Sequence, residues 1–400
     1  MKITFVLPGI GITGGVRVVF EYANRLINLG HEVHIVYPTI PPTMTSRSKM
    51  KLIRGKLVGG LWNLCKGNKV EWFPLKAKLI RVPTINPKFM NIVKGIVPES
   101  DVIIATSWET AYFVNALPEK KGEKFYFVQH YEIWDMWNSM RCWEKVKKIE
   151  KKTEKLPVAM SYVIPDDPYL KKLKELVDAT YTMPLKKITI SSWLKELLER
   201  RFGQKVYEVI ANGVNFEVFY CSHEKDWDTQ KRIILMPYRG ISWKGDLDGL
   251  NALKEVRRKG KDQLEVWFYG SRKPNGLPNW IKFYERPYDD ELRQLYCKAH
   301  IFVGPSWVEG FYLPPMEAMA CKCATVTTAV GAVPDYTIPG KTAIVVPPKT
   351  PKKLADGIKY LLENPNEAKQ IAERSHRHIR QFTWEKATEK FEKVLYNGLD

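Results

Sequence analysis

Hydrophobic positions near the start of the chain switch between two periods. KITFVLP, residues 2–8, is an almost continuous apolar run, which is typical of a strand buried on both faces of a sheet. GVRVVFEYANRLINLG, residues 15–30, instead places Val18, Val19, Tyr22 and Leu26 on one face of a helix. HEVHIVYP then returns to a strand pattern. A strand, a helix and a strand in this order predict a βαβ unit and therefore a parallel sheet.

Similar apolar runs recur along the chain in two series. The first continues with DVIIAT at 101–106, FYFVQ at 125–129 and KITISS at 187–192. The second has predicted strands at 232–238, 264–270, 300–306, 323–328 and 343–348, with helices at 246–259, 289–298, 315–321 and 351–363. Between the two series, the chain loses its periodicity and becomes polar. Two doubly wound halves joined by a linker are therefore predicted.

The predicted fold class is α/β, with two Rossmann-like domains. The N-terminal domain spans residues 1–215, the linker 216–230 and the C-terminal domain 231–378. Residues 379–400 contain TWEKATEKFEKVL, which predicts a final helix with an N-cap at Thr383 and an apolar face that needs a surface to cover. Because ligands of doubly wound sheets bind at the carboxyl ends of the strands, we expect the two domains to face a central cleft.

Composition supports a folded, two-domain chain without adding a cofactor. The chain has 400 residues, of which 44% are hydrophobic and 27% charged. Its six cysteines are scattered, and the one close pair has CxC spacing rather than the CxxC of zinc or redox sites, so we expect reduced thiols in a cytoplasmic protein. The N-terminus predicts a first strand rather than a signal peptide, and no apolar run approaches the roughly 18 residues of a membrane span.

Positive charge is concentrated in the N-terminal half. The net charge is +19, and residues 1–215 hold 34 basic and 20 acidic residues, against 29 and 24 in residues 216–400. Eleven basic residues and one acid, Glu71, lie between Arg47 and Lys88, together with Trp62, Trp72 and Phe73, and KVKKIEKKTEK at 145–155 adds six lysines. A solvated lysine-rich surface and docking on anionic lipid both fit this pattern. No nucleic-acid-binding signature accompanies the charge, so no nucleic acid partner is expected.

The glycine-rich turn GIGITG, residues 9–14, matches GxGxxG between a strand and a helix. The next strand ends at Tyr37 and Pro38, without the acid that holds the ribose of a nicotinamide dinucleotide, so this turn does not predict an NAD site. The turn still allows a backbone and a helix N-terminus to approach an anion. A structural turn and a phosphate contact at Gly14 and Gly15 are both open.

Two pairs of charged residues follow predicted strands of the C-terminal half. In LMPYRGISWKGDLDGL, Arg239 and Lys244 are five positions apart after a strand and suit a diphosphate, although an ordinary polar loop is the alternative. In EGFYLPPMEAMACKC, Glu309 follows another strand, and Glu317 lies eight positions later in the first turn of a helix that begins with two prolines. Glu317 can bind a vicinal diol, or it can simply favour the helix dipole.

The string from Glu309 to Cys321 resembles the E-x7-E signature of retaining GT-B glycosyltransferases of family 4. The glycine loop, GHEV, ISSWLKELL, ANGVN, the Arg239 and Lys244 pair and a final FTWE agree in order over nearly the whole chain. The resemblance implies a GT-B fold whose C-terminal helix crosses back to the N-terminal domain. It also implies a glycosyltransferase of cell-surface polysaccharide or glycolipid synthesis, which moves a sugar from a nucleotide-diphosphate sugar to a glycan or lipid-linked acceptor. A sugar-nucleotide epimerase and a non-catalytic sugar-nucleotide-binding subunit are the alternatives on this fold.

The resemblance further implies roles for individual residues. Glu317 would bind the ribose, and Arg239 and Lys244 the diphosphate. Glu309 would hold the donor sugar, and His130, in FVQHYE, would reach that sugar from the N-terminal domain unless it is an ordinary loop histidine. The other donor contacts are expected at Gly310, Phe311, Tyr312, Leu313, Gly14, Gly15, Gly270 and Ser271.

Departures from the family pattern leave the donor sugar open. Tyr312 stands where the family usually has glycine, Lys322 replaces another glycine and Ala324 a proline. The adjacent acids at 166–167 and 289–290 do not form a DxD, and the second pair is predicted to cap a helix. We expect no metal and no other cofactor, because Arg239, Lys244 and helix N-termini can neutralise the diphosphate. The predicted location is the cytoplasm, peripheral on the inner face of the membrane.

Overall fold

The computed structural model describes residues 1–42, 53–54, 57–61, 69–133, 167–229, 231–258 and 264–399. The lysine run at 145–155, Trp62, Asp166 and parts of the basic stretch 47–88 lie outside these residues. In the N-terminal half, the strands are β1 Lys2–Val6, β2 Glu32–Pro38, β3 Lys78–Val82, β4 Val102–Ala105, β5 Glu123–Val128, β6 Lys186–Thr189 and β7 Val206–Val209. In the C-terminal half, they are β8 Arg232–Pro237, β9 Leu264–Gly270, β10 Ile281–Glu285, β11 Ile301–Gly304, β12 Ala324–Thr328 and β13 Ile344–Val346.

Helices alternate with these strands. The N-terminal half contains α1 Gly14–Asn28, α2 Met90–Val93, α3 Trp108–Ala116, α4 Pro168–Tyr181 and α5 Ser192–Phe202, and residues 53–54 and 57–61 are helical as well. The C-terminal half contains α6 Asp246–Arg257, α7 Asp290–Lys298, α8 Leu313–Ala320, α9 Val333–Tyr336, α10 Pro351–Glu363, α11 Pro365–Ile379 and α12 Trp384–Asn397. Single 3-10 turns occur at Pro87–Phe89, Glu119–Lys121 and Ser242–Lys244. Within the described ranges, no helix has the length and apolar character needed to cross a membrane.

Each half forms one parallel sheet. The N-terminal sheet has the order β3-β2-β1-β4-β5-β6-β7, and the C-terminal sheet has the order β10-β9-β8-β11-β12-β13. The strand order switches sides at β1, which lies between β2 and β4, and at β8, which lies between β9 and β11. Such switches of strand order place ligand sites at the carboxyl ends of the strands. The prediction of two doubly wound, Rossmann-like domains is confirmed.

The apolar face of the final helix covers the N-terminal domain. Lys386 donates its backbone N–H to Thr383 Oγ1 at 3.2 Å, which confirms the predicted N-cap. Phe391 of α12 is fully buried, and its ring centroid lies 4.7 Å from that of Tyr22 on α1. A bridge between Val214 and Thr383 carries the chain back beside the end of the N-terminal sheet. The helix therefore crosses back to the N-terminal domain, as the family resemblance implied.

The sequence did not predict β3, β7 and β10. The three lie at edges of their sheets, and most of their residues are partly or fully exposed. An edge strand of mixed polarity gives no continuous apolar run, so hydrophobic periodicity does not reveal it. Buried strands such as β1 and β4, by contrast, were visible as apolar runs.

The expectation that all six thiols are reduced is wrong for one pair. Cys221, in the linker, forms a disulfide with Cys297 at the end of α7, 76 positions away in sequence. The Cys321 sulfur lies within 4.8 Å of both other sulfur atoms, and Cys321 and Cys323 are buried free thiols. Spacing along the chain could not reveal this pairing, because only the docking of the linker on the C-terminal domain brings the two cysteines together.

Candidate active site

A cavity of about 500 Å³ lies between the carboxyl ends of the two sheets. Most of the residues predicted from the sequence line it: Gly14, Gly15, His130, Arg239, Lys244, Glu309, Gly310, Phe311, Tyr312 and Leu313. Glu317, Gly270 and Ser271 are not in this lining. Gly270 and Ser271 lie at the end of β9, where the Gly270 and Ser271 carbonyls accept hydrogen bonds from Arg286, and their donor role stays a prediction.

We call the C-terminal wall the part of the cavity formed by Arg239, Lys244, Glu309 and the start of α8. Its centre is an ion pair, in which Lys244 Nζ lies 2.7 Å from Glu309 Oε2. Their side chains are only 18% and 12% exposed. Ser306 donates its hydroxyl to the other oxygen, Glu309 Oε1, at 2.8 Å. Burial lowers the pKa of Lys244, and the ion pair offsets part of this effect.

The loop that presents Arg239 and Lys244 is folded around a buried acid. The backbone N–H groups of Arg239 and Gly240 donate to the carboxylate of Asp246, at 3.1 Å and 2.6 Å to Oδ2. Asp246 also begins α6, where a carboxylate is favoured by the helix dipole. The Arg239 guanidinium then lies 5.6 Å from the ring centroid of Tyr269. Asp246 thus fixes the backbone of the loop that presents Arg239 to the cavity.

Helix α8 begins at the cavity and carries Glu317. Tyr312 precedes the helix with a left-handed backbone, φ 89°, and its carbonyl accepts a hydrogen bond from Tyr336 at 2.8 Å. Glu317 Oε2 accepts a hydrogen bond from the Tyr296 hydroxyl at 3.0 Å, and Tyr296 contacts the Tyr269 hydroxyl at 2.8 Å. Burial raises the pKa of Glu317. Its carboxylate is therefore held by a tyrosine network in addition to the helix dipole.

Gly310 joins the two domains. Its carbonyl accepts hydrogen bonds from the Ser191 hydroxyl and from Trp193 Nε1, both at 3.0 Å. A Cβ atom at this position would lie 2.0 Å from the backbone oxygen of Gln129. Because backbone atoms cannot yield to such a contact, a residue with a side chain does not fit between the domains here.

His130 faces this contact from the N-terminal domain. Its Nδ1 lies 2.9 Å from the carbonyl oxygen of Tyr131 and therefore donates to it, which leaves the lone pair on Nε2. Burial lowers the pKa of His130 to about 3. The imidazole is thus neutral at physiological pH, so it suits a hydrogen bond to a hydroxyl group rather than proton donation.

We call the N-terminal wall the part of the cavity lining formed by Thr106, Ser107, Gln129, His130, Glu132 and Asn212. The sequence did not indicate its acid, Glu132, or the neighbouring Glu109. Glu132 lies two positions after His130 in the same hexapeptide, which was the available signal. Glu109 lies beside Glu132 in the first turn of α3 and interacts with it electrostatically. The only sequence signal for Asp246 was its residue type, which is common at the N-termini of helices.

The predicted helix cap at Asp289 is correct in position but lacks the capping hydrogen bond. Asp289 precedes α7, but its side chain makes no capping hydrogen bond and lies 3.5 Å from the guanidinium of Arg17. Arg17 belongs to α1, just after the glycine loop, so this contact crosses between the domains. Arg17 also interacts electrostatically with Glu317. The glycine loop therefore brings a cation towards the predicted ribose site.

Comparisons with known proteins agree with this geometry. Residues 12–218 match the family described as Glycosyltransferase Family 4, and residues 222–378 match Glycosyl transferases group 1. A D-inositol 3-phosphate glycosyltransferase of Corynebacterium diphtheriae is 26% identical over 46% of this chain and 49% of its own length. An Escherichia coli O-antigen chain mannosyltransferase B is 31% identical over 27% of this chain and 28% of its own length. The chain thus spans about half the length of these relatives, or less.

Solved structures show the same fold. Sucrose-phosphate synthase from Thermosynechococcus elongatus superposes with a TM-score of 0.68 at 16% identity, covering 99% of this chain and 98% of that one. Anabaena HepE, in complex with UDP-glucose, superposes with a TM-score of 0.69 at 14% identity, covering 99% and 100%. Since the first family match alone covers more than half of the chain, the protein belongs to glycosyltransferase family 4, among the group 1 glycosyltransferases of GT-B fold.

Proposed function

We propose that the protein is a retaining glycosyltransferase. It moves a sugar from a nucleotide-diphosphate sugar to a glycan or lipid-linked acceptor, in the synthesis of cell-surface polysaccharide or glycolipid. The observation that carries this proposal is the ion pair of Lys244 and Glu309 beside Arg239, at the point where the cavity meets the start of α8. A cation pair and a carboxylate at one point suit a diphosphate linked to a hydroxylated sugar.

Each part of the donor has a matching group. Glu317 accepts hydrogen bonds from the ribose hydroxyls, and Arg239 and Lys244 contact the diphosphate. Glu309 and the loop from Gly310 to Leu313 hold the sugar, with His130 Nε2 accepting from one of its hydroxyls. Support for a nucleotide-sugar also comes from the structural neighbour HepE, which holds UDP-glucose. No metal is needed, because two cations and a helix N-terminus face the phosphates.

The chemistry that fits this site is attack on the face from which the phosphate leaves. The acceptor oxygen forms a bond to the anomeric carbon, the bond from that carbon to the phosphate oxygen breaks, and the acceptor proton passes to the leaving phosphate. Arg239, Lys244 and the start of α8 stabilise the negative charge that develops there. The neutral His130 and the paired Glu309 position the sugar and move no proton.

Nucleotide binding in EDTA tests the donor site. We expect at least one of UDP, GDP and dTDP to bind without metal in calorimetry, and Arg239→Ala to weaken that binding about tenfold or more, since a charge-assisted hydrogen bond contributes about 1.5–3 kcal/mol. Binding that requires Mg²⁺, or normal binding by the variant, would contradict this site. Release of nucleotide from the matching nucleotide-sugar separates an enzyme from a binding subunit.

The stereochemistry of the first product tests the reaction. We expect NMR of the transferred sugar to show the anomeric configuration of the donor. An inverted product would rule out attack on the same face. Conversion of the donor to a different nucleotide-sugar, without transfer, would instead indicate an epimerase.

Docking on an anionic membrane is part of the proposal. In the described parts of the basic stretch, Ile53, Leu57, Val58 and Leu61 are exposed apolar residues, which suit an interface with lipid. Vesicles that contain anionic lipid should therefore carry the protein in a flotation assay at low salt, and salt should release it. Flotation that shows no preference for anionic over neutral vesicles would contradict electrostatic docking of the basic stretch.

A further inference from the structure

The N-terminal wall contains two neighbouring carboxyl groups. Glu132 follows β5 and lines the cavity, and its Oε2 accepts the backbone N–H of Trp108 at 2.6 Å. The Tyr126 hydroxyl lies 3.4 Å from the same oxygen. Glu109, one residue after Trp108, is the acid next to it. The start of α3 thus holds Glu132 in a fixed position in the cavity lining.

Burial raises the pKa of both acids, to about 7 for Glu109 and well above the ordinary value for Glu132, where repulsion by Glu109 adds to the effect. Both effects favour the protonated form of Glu132, and repulsion disfavours a negative charge on both groups at once. A protonated carboxyl group both donates and accepts a hydrogen bond, as a bound hydroxyl group requires.

Asn212 is a second and independent feature of the same wall. It lies after β7, is only 1% exposed and lines the cavity with Glu132. Its side-chain oxygen makes no hydrogen bond to any of the residues that the structure describes. A buried polar atom without a partner costs free energy, so a group that donates to this oxygen would be bound favourably.

The charge of the wall restricts what it can bind. Among the described residues of the N-terminal domain that line the cavity, there is no lysine and no arginine, and His130 is neutral. The cations of the cavity, Arg239 and Lys244, lie on the opposite wall. A phosphate or carboxylate next to Glu132 would lose its hydration without meeting a cation among these lining residues.

We propose that Glu132 and Asn212 form a subsite for an uncharged, hydroxylated ring, so that the reacting end of the acceptor is a neutral sugar or polyol and not a phosphorylated one. This inference rests on the proposed glycosyl transfer. The carboxyl group of Glu132 exchanges hydrogen bonds with one hydroxyl, and Asn212 Oδ1 accepts from another. Glu109 is a positioning residue that helps keep Glu132 protonated.

Saturation-transfer NMR on the full chain, saturated with the nucleotide that calorimetry identifies, tests the subsite. The neutral probes are the methyl α-glycosides of glucose, mannose and rhamnose, and the charged probes are glucose 6-phosphate and mannose 6-phosphate. We expect signals from at least one neutral probe and from neither phosphate. Binding of a phosphate, or of no probe at all, would overturn the proposal.

Variants separate binding from folding. Glu132→Leu and Asn212→Leu should each weaken the neutral probe about tenfold, whereas Glu132→Gln, which resembles the protonated acid, should retain it. Glu119→Leu, at an exposed glutamate of the same domain, is the matched control. Thermal melting shows whether each variant folds, and equal binding by Glu132→Leu and the control would contradict the subsite. Failure of nucleotide binding in the unaltered protein would count against the proposed function itself. It is therefore distinguishable from a failure of the subsite alone.

Discussion

The two walls of the cleft are built in opposite ways. The C-terminal wall places two cations, Arg239 and Lys244, around one carboxylate, and the Lys244 and Glu309 ion pair is almost buried. The N-terminal wall has a neutral histidine, a carboxyl group whose protonated form is favoured by burial, and an amide oxygen without a partner among the described residues. One wall is suited to the charge that develops on a phosphate, and the other to hydroxyl groups.

This difference separates two roles of the site, stabilisation of the leaving phosphate and binding of the acceptor. Stabilising a leaving phosphate needs charges that stay fixed during the reaction, and the C-terminal wall fixes them through Asp246 and Ser306. Holding an acceptor needs groups that donate and accept hydrogen bonds without a strong electrostatic field. Substitutions on the first wall should therefore affect donor binding and the rate, and substitutions on the second the choice of acceptor.

The largest effect is expected at the ion pair. Glu309→Gln should lower kcat for donor turnover roughly a hundredfold, with little change in donor KM, because it leaves Lys244 unpaired and disturbs the sugar at the reacting carbon. Steady-state kinetics measure both constants. Glu285→Gln, at an exposed glutamate that ends β10, is the control and should behave normally.

Glu317→Gln sharpens the contrast within the C-terminal wall. It should mainly raise the donor KM several-fold, since its partner is the ribose and not the reacting centre. A pure KM effect at Glu309 together with a collapse of kcat at Glu317 would show that we have exchanged their roles.

The next effect concerns the contact that sets the walls opposite each other. Gly310→Ala should lower transfer about tenfold while nucleotide affinity is retained, because the new Cβ would meet the Gln129 backbone oxygen at 2.0 Å and push the domains apart. Kinetics and calorimetry on the same preparation test this. Gly95→Ala has open space around the added atom and serves as the control. Unchanged transfer would mean that the walls do not need this closed arrangement.

A smaller effect is expected behind the cations. Asp246→Asn should weaken nucleotide diphosphate binding about fivefold, because a neutral amide holds the Arg239 and Gly240 N–H groups less strongly than a carboxylate does. Calorimetry in EDTA gives the affinity. Asp290→Asn, at an exposed acid of α7, should leave it unchanged. An equal loss in both variants would point to net charge and not to the loop.

The last expected effect is on the free energy of unfolding, through Glu109 beside the N-terminal wall. Burial raises the pKa of folded Glu109 from 4.5 to about 7, so the stability that its proton provides is fully present below pH 4.5 and lost as pH rises through 7. Glu109→Gln does not titrate, and its stability relative to the unaltered protein should therefore increase by about 3 kcal/mol between pH 4.5 and pH 8. Urea unfolding at several pH values measures this difference. A difference that does not change with pH would mean that Glu109 titrates normally.

The same contrast explains what could be predicted from the sequence. Arg239 and Lys244 share one loop, and Glu309 begins another, so local spacing was enough to place these three at the cavity. Glu317 lies in the helix that begins there. The N-terminal wall instead collects its polar groups from loops after β4, β5 and β7. No spacing along the chain relates Glu132 to Asn212, because they follow different strands of the sheet and share only the cavity lining.

The fold shows a similar division. Central strands are buried on both faces and were visible as apolar runs, whereas edge strands such as β3 were not. The role of Gly310 as a domain contact was equally hidden. Its glycine belonged to a recognisable signature, but the oxygen atom that excludes a side chain belongs to Gln129 in the other domain.

Because α12 is the last helix of the chain and packs on the N-terminal domain, part of that domain's core is synthesised last. Phe391 fills the core between Tyr22 and Phe127, so a nascent N-terminal domain leaves the ribosome with part of its interior open to water. That surface is covered only after the whole C-terminal domain has been translated. A fragment that ends at the linker would therefore expose an apolar surface to chaperones or to aggregation.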